Sequence, residues 1–233
     1  MTSVRTVAEN CLDLSGSFSI RRDVYGYIWG TMNRDLSLKN HIELIQGPSC
    51  NLCLFLVGHE PDFSGEFTQA DTQRMQAAID VARDIYAQEN FGIRKLYWRY
   101  IPSSEAGGYT VVDGSEATDL TEDYSGPNDG LDVFFVTNVT DASGWSKVDG
   151  PCDKDAKGRT GSVMELSNSD LVTGIVLGHE VGHYLGLSHE GDITNLMGDD
   201  ADGDGIGSIN STSLNLTNNQ GNTMKGHCSV SNC

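Results

Sequence analysis

The apolar positions of this chain repeat with two different periods, and each period marks a set of elements. Met75, Ala78, Ile79, Ala82, Ile85 and Tyr86 recur at helical intervals, which predicts an amphipathic helix over about 69–88. Thr68 with Asp71 forms a capping-box signature at its start, with Asp in place of the usual Glu or Gln, and Asn90 and Gly92 close it. Leu52 to Gly58 before this helix and Arg94 to Ile101 after it read as strands, the latter rich in aromatic and aliphatic residues. Leu131 to Val139 is almost continuously apolar, as in a strand buried on both faces, and Arg159 to Leu166 reads as a further strand. Gly144 to Val148 is a short polar strand candidate between them. A second helix is expected from about Leu171 to Leu185, capped by the polar run Ser167-Asn168-Ser169-Asp170. The Gly-, Ser- and Asp-rich stretch from Ser103 to Gly130 reads as loop. Val24 to Trp29 and His41 to Ile45 are strand-like and carry no motif.

A βαβ start followed by more strands and a second helix predicts an α/β or α+β sheet with helices packed on it. With 233 residues, 38% of them apolar, the chain has enough material for one sizeable core and a modest appendage. The division expected is an N-terminal extension, 1–48, of unknown role and a main domain, 49–233.

Charge narrows the partners. Thirty-three acidic against fifteen basic residues give a net charge of -18, which repels phosphate backbones and anionic headgroups, so neither nucleic acid nor membrane is an expected partner. No apolar run approaches the roughly 20 residues a membrane helix needs. Glu9, Asn10 and Asp13 interrupt the start of the chain where a secretory signal would need its apolar stretch, so a secreted protein would begin here after signal removal. Six cysteines, at 11, 50, 53, 152, 228 and 233, are an even number and favour disulfides in an exported chain. Cys50 and Cys53 form a C-x-x-C pair, but they lead into a strand and have no second pair, so a disulfide is expected over a redox or zinc motif.

The second helix contains His179-Glu180-Val181-Gly182-His183. Four residues of helix turn through about 400°, so His179 and His183 stack on one face about 6 Å apart along the axis and can grip one metal. Glu180 is rotated about 100° from His179, where it flanks the ion and can address a metal-bound water. An uninterrupted helix would carry residue 189 about 15 Å along the axis from residue 179, too far to share an ion. Gly186 can take the left-handed conformation that ends a helix, turning the chain so that His189 swings back as third ligand. Three neutral imidazoles with an open fourth position are the pattern of catalytic zinc.

With its glycine and third histidine, this pattern resembles the metzincin clan of zinc endopeptidases, and Met197 in Asn195-Leu196-Met197-Gly198 resembles the clan's methionine turn. The short spacing from His189 to Met197 is similar to the matrixin branch, while Glu190 after the third histidine is similar to the astacin branch. The resemblance covers about residues 50–228. It implies a twisted mixed sheet with an antiparallel edge strand, two main helices and a C-terminal helix. It also implies that Gly144, Trp145, Ser146, Lys147 and Val148 form the edge strand that pairs with extended substrate.

Asp200, Asp202 and Asp204 lie in a D-x-D-x-D-G run that begins like a calcium loop, but the twelfth position is Ser211 where an EF-hand has Glu; a simpler calcium loop and a solvated acidic loop both stay open. Cys11 could cap the zinc as a latency switch, although its neighbours Asn10, Leu12 and Asp13 do not match that motif. The function expected is a secreted zinc-dependent endopeptidase in which Glu180, as general base, activates a zinc-bound water. Its partners are protein or peptide substrates, and its oligomeric state is not legible. The rival is a non-catalytic zinc-containing binding or adhesion module, against which the intact Glu180 and the open fourth position both argue.

Overall fold

The computed structural model describes residues 41–42, 47–60, 62–126, 130–140, 142–199 and 209–232. Strands β1 (His41–Ile42), β2 (Pro48–Val57), β3 (Gly92–Ile101), β5 (Leu131–Val136), β7 (Gly144–Ser146) and β8 (Ser162–Glu165) make one sheet in the order β1-β3-β2-β5-β8-β7. The middle four, β3, β2, β5 and β8, run parallel, and β1 and β7 are antiparallel at the two ends. A terminal strand, β9 (Ser231–Asn232), pairs antiparallel with the first residues of β2. The chain is thus a mixed α/β fold with an antiparallel edge. Val24 to Trp29, Cys11, Cys233, and the candidate calcium ligands Asp200, Asp202 and Asp204 lie outside the described residues.

Helix α1 (Gln69–Ala87) links β2 to β3, as the apolar stripe predicts. Its capping box closes in both directions, with Thr68 N–H donating to Asp71 Oδ2 at 2.9 Å and Asp71 N–H to Thr68 Oγ1 at 3.3 Å. Asn90 takes the left-handed conformation, φ 52°, so it turns the chain out of the helix, whereas Gly92 is already the first residue of β3. Met75, Ile79, Ala82 and Tyr86 are buried beneath α1 against Leu52, Leu54 and Leu56 of β2 and Val133 and Phe135 of β5; each large side chain contributes about 1.5–3 kcal/mol. Helix α4 (Asp170–Tyr184) packs beside α1 on the same face.

The opposite face departs from the sequence reading. The stretch from Ser103 to Gly130, read as loop, forms α2 (Ser103–Ala106), a short β4 (Val111–Val112) and α3 (Gly114–Tyr124). Strand β4 pairs in parallel with β6 (Asn138–Val139). Asp113 caps α3 and Glu116 reaches back to it in a second capping box, and Ala106, Ala117 and Leu120 are buried against Phe55, Phe134 and Val163. Composition hid the helix because its exposed positions are Ser, Glu, Thr and Asp, while the buried pair Ala117 and Leu120 is too short to establish a period.

The cysteine expectation is corrected in part. Residues 50, 52, 54 and 56 face the α1 and α4 side, while 53, 55 and 57 face the other. Cys50 and Cys53 are therefore buried on opposite faces and cannot bridge each other, and burial pushes the Cys50 thiol up to about 12. Cys152 and Cys228 do form a disulfide, which joins the loop after β7 to the end of helix α5 (Asn218–Gly226).

Candidate metal centre

Helix α4 starts where Ser169 Oγ accepts the Val172 N–H at 3.4 Å, and it is buried from Thr173 to Tyr184. Gly174, Gly178 and Gly182 lie one turn apart on it. A Cβ at Gly174 would sit 2.5 Å from Val81 Cβ and 2.6 Å from the Ala78 carbonyl oxygen, and one at Gly182 would sit 2.9 Å from Met197 Sδ. The stripe of missing side chains lets α1 and the methionine turn approach the helix axis. Tyr86 fastens the helix pair by donating to the Gly178 carbonyl at 2.7 Å.

Gly186 ends α4 at φ 97°. Its N–H bonds to the His183 carbonyl at 2.9 Å, and the Leu187 N–H bonds to the Gly182 carbonyl at 3.0 Å. These two bonds are a Schellman motif, with Leu187 buried below it. The reversal returns the chain toward the helix face that carries His179 and His183.

His189 meets them there. Its Nε2 lies 3.2 Å from His179 Nε2 and 2.9 Å from His183 Nε2. The opposite nitrogen of each ring is engaged: His179 Nδ1 with the Leu196 carbonyl at 2.8 Å, His183 Nδ1 with the Leu187 carbonyl at 2.7 Å, and His189 Nδ1 with Asp199 Oδ2 at 2.8 Å. A carbonyl oxygen can only accept, so the Nδ1 of His179 and His183 carries the proton and the Nε2 lone pair is free to ligate. Burial, then the neighbouring His183, pushes the His179 pKa down to about 3, and burial likewise lowers that of His183. Both rings are neutral near pH 7. Lone pairs crowded together at about 3 Å repel unless a cation sits among them. A tetrahedral ion with bonds of about 2.0–2.1 Å to nitrogen separates its donors by about 3.3 Å, so the cluster fits zinc.

Glu180 stands beside this cluster and is 4% exposed. A Cβ at Gly144 would come within 2.5 Å of Glu180 Oε1, so the first residue of the edge strand has to be glycine for the carboxylate to lie where it does. Burial raises the Glu180 pKa to about 8, and a cation among the imidazoles would favour the ionised form. Among the described residues Glu180 Oε2, itself buried, has no hydrogen-bond partner.

The edge strand is shorter than the expected 144–148. Gly144, Trp145 and Ser146 pair with Met164, Val163 and Ser162 of β8, but β8 begins at Ser162, so among the described residues Lys147 and Val148 have no partner strand and lie past the end. Beyond them the Asp149 N–H donates to the His183 carbonyl at 3.0 Å and the Gly150 N–H to the Tyr184 carbonyl at 2.8 Å. The loop after β7 thereby satisfies the open carbonyls at the end of α4.

Met197 is fully buried, with its Sδ against α4 at Gly182. Its turn is held by Asn195, whose Oδ1 accepts the Met197 N–H at 2.9 Å and the Gln220 Nε2–H at 2.9 Å, while its Nδ2 donates to Gln220 Oε1 at 3.0 Å. This reciprocal amide pair straps the turn to α5. Gln220 is absent from the sequence reading; its available signal is the Thr217-x-x-Gln220 capping box, which the structure contains. Asp199 opens the acidic run, and no spacing in the sequence ties it to His189.

No protein-family model and no curated protein matches this sequence. Among solved structures, the chain is similar in fold to archaemetzincin from Methanopyrus kandleri, with a TM-score of 0.51 and 14% identity over 76% of this chain and 94% of that one. A structure described as a chaperone–substrate complex matches with a TM-score of 0.42 and 18% identity, over 74% of this chain and 28% of that one. A score that low carries no argument. The first likeness is one of fold, and the His179, His183 and His189 cluster occurs within that fold.

Proposed function

We propose that the chain is a zinc-dependent endopeptidase of metzincin type, exported from the cell, that cleaves extended peptide segments lying along β7. The observation that carries this reading is the convergence of His179, His183 and His189 through Nε2 with every Nδ1 engaged, next to a buried carboxylate on the following helical position. Three protein ligands leave a coordination position for water or substrate, which a closed structural site would not. Cys152–Cys228 suits an oxidising compartment. The mixed matrixin-like and astacin-like features set no branch.

Zinc, when bound, supplies a Lewis acid that polarises the scissile carbonyl and lowers the pKa of water toward about 7. Glu180 removes one proton from the attacking water as its oxygen bonds to the carbonyl carbon. The carboxylic acid then delivers that proton to the amide nitrogen as the C–N bond breaks. The missing side chain at Gly144 leaves the room that the Glu180 carboxylate occupies. Strand β7 ends the sheet, so its outer edge offers main-chain donors and acceptors to a substrate in extended conformation.

Glu180→Gln removes the proton acceptor at nearly constant volume. Hydrolysis of an unfolded protein substrate should fall by roughly 10²- to 10⁴-fold with zinc content unchanged. Equal rates for the two proteins would eliminate Glu180 as base, and a zinc-loaded parent that cuts no substrate would favour the binding-module reading.

A further inference from the structure

The three imidazoles are positioned by different means. His179 and His183 stand on one rigid helix, are buried, and give their Nδ1 protons to backbone carbonyls at Leu196 and Leu187. Those acceptors are set by the Schellman turn and the methionine turn, so the first two ligands are oriented by the fold itself. His189 sits on the returning loop with 46% of its side chain exposed, and its Nδ1 meets a side chain, Asp199 Oδ2 at 2.8 Å. Among the described residues no backbone carbonyl serves it.

The loop is built to deliver that carboxylate. Glu190 N–H bonds to the Met197 carbonyl at 2.8 Å, and Asp199 N–H bonds to the Glu190 carbonyl at 3.0 Å. These bonds place Asp199 across from the residue after His189. Between them, Gly198 allows the chain to pass: a Cβ there would fall 2.7 Å from the Asp192 carbonyl oxygen and 2.8 Å from Ile193 Cα. Both contacts are with backbone, which cannot swing aside.

We infer that Asp199 is the positioning residue for the third metal ligand, its carboxylate accepting the His189 Nδ1–H so that the Nε2 lone pair points toward the other two imidazoles. The inference rests on the zinc reading of the cluster. A carboxylate behind a ligating histidine fixes ring orientation and tautomer and raises the basicity of the ligating nitrogen. A solvent-exposed pair of this kind adds little to folding itself. Its effect therefore belongs in metal affinity, and it falls on the one ligand whose ring the protein interior does not clamp.

The test is zinc affinity by chelator competition for the parent, Asp199→Asn, Asp199→Ala and Glu190→Gln, with melting temperatures of the zinc-free proteins alongside. Asp199→Ala should weaken zinc binding by about 10- to 100-fold. Asp199→Asn, which keeps an acceptor without the charge, should fall between it and the parent. Glu190→Gln removes a neighbouring charge and should bind zinc like the parent. In the cobalt-substituted proteins the ligand-field bands should shift for Asp199→Ala only. The inference is overturned if Asp199→Ala matches the parent in zinc affinity and cobalt spectrum, if Glu190→Gln loses as much affinity as Asp199→Ala, or if zinc-free Asp199→Ala melts well below the zinc-free parent, which would make the role structural. None of these readouts uses hydrolysis, so a parent that binds zinc without cutting peptide defeats the peptidase reading and leaves this one standing. A parent that takes up no zinc defeats both.

Discussion

On one face of the sheet α1 and α4 lie close enough for a Cβ at Gly174 to meet the α1 backbone, and on the other α2 and α3 cover the strands as short helices, α3 closed by its own capping box. Every described element of the candidate site belongs to the first face or to its rim: α4, the returning loop, the methionine turn, α5 and the outer strand β7. The second face contributes Phe55, Phe134, Val163 and their neighbours to a core of its own and no metal ligand. The difference is one of tolerance. Close helix packing against backbone leaves no room for added atoms, whereas a short helix held by its cap and a few buried side chains can lose a contact without moving anything at the metal.

The comparison can be broken most forcefully at the disulfide. Cys152 and Cys228 are 76 residues apart and enclose α4, all three histidines and α5, so removing the link frees the unfolded form of the site half alone. The double variant Cys152→Ser, Cys228→Ser should lose about 2–4 kcal/mol, read from the urea midpoint. A loss well under 1 kcal/mol would mean that the unfolded chain is not constrained by the link.

Next in size is Gly174→Ala. The new methyl gains about 0.5–1 kcal/mol of helix propensity but overlaps Val81 and the Ala78 carbonyl, an overpacking that costs about 1–3 kcal/mol. Because the obstacle is partly backbone, destabilisation should win, by about 1–2 kcal/mol, with zinc affinity reduced as α4 shifts. Gly178→Ala sharpens the point one turn along. Its Cβ would meet Leu196 at 3.4 Å and Ala82 at 3.9 Å, ordinary contact distances, so urea unfolding should show it neutral or slightly more stable. If the two variants behaved alike, close approach would not be the reason for the glycine stripe.

The smallest expected effect is on the opposite face. Asp113→Ala removes the carboxylate that accepts the Ser115 and Glu116 N–H groups at 2.8 and 2.9 Å. A lost cap costs about 1 kcal/mol. Zinc affinity and hydrolysis should be unchanged within error; a parallel fall in either would show that the two faces are coupled through the sheet.

The helices that define the first face were legible because their physics is local. The α1 stripe, the Thr68 and Asp71 box, the Ser169 cap and the turn at Gly186 each depend on residues within a few positions of one another, and each occurs as read. Helix α3 is not legible in the sequence although its signals are equally local. Asp113 and Glu116 bracket its first turn, but only Ala117, Leu120 and Thr121 are buried along it, and a Gly-, Ser- and Asp-rich setting outweighed them.

The order of the chemistry was likewise contained in the spacing of His179, Glu180, His183, Gly186 and His189, since helix geometry and one left-handed glycine suffice to predict which rings can meet. Where long-range partners enter, the sequence is silent. That Cys152 joins Cys228 while Cys50 and Cys53 turn to opposite faces follows from strand parity and from the packing of β7, α4 and α5. That Gly144 makes room for Glu180, that Gln220 holds Asn195, and that Asp199 reaches His189 are contacts between residues brought together by tertiary packing or by loop closure. Such contacts have no period along the chain. Spacing along one helix sets which groups are available to a metal, and only the closing of loops onto that helix decides which atoms hold them in place.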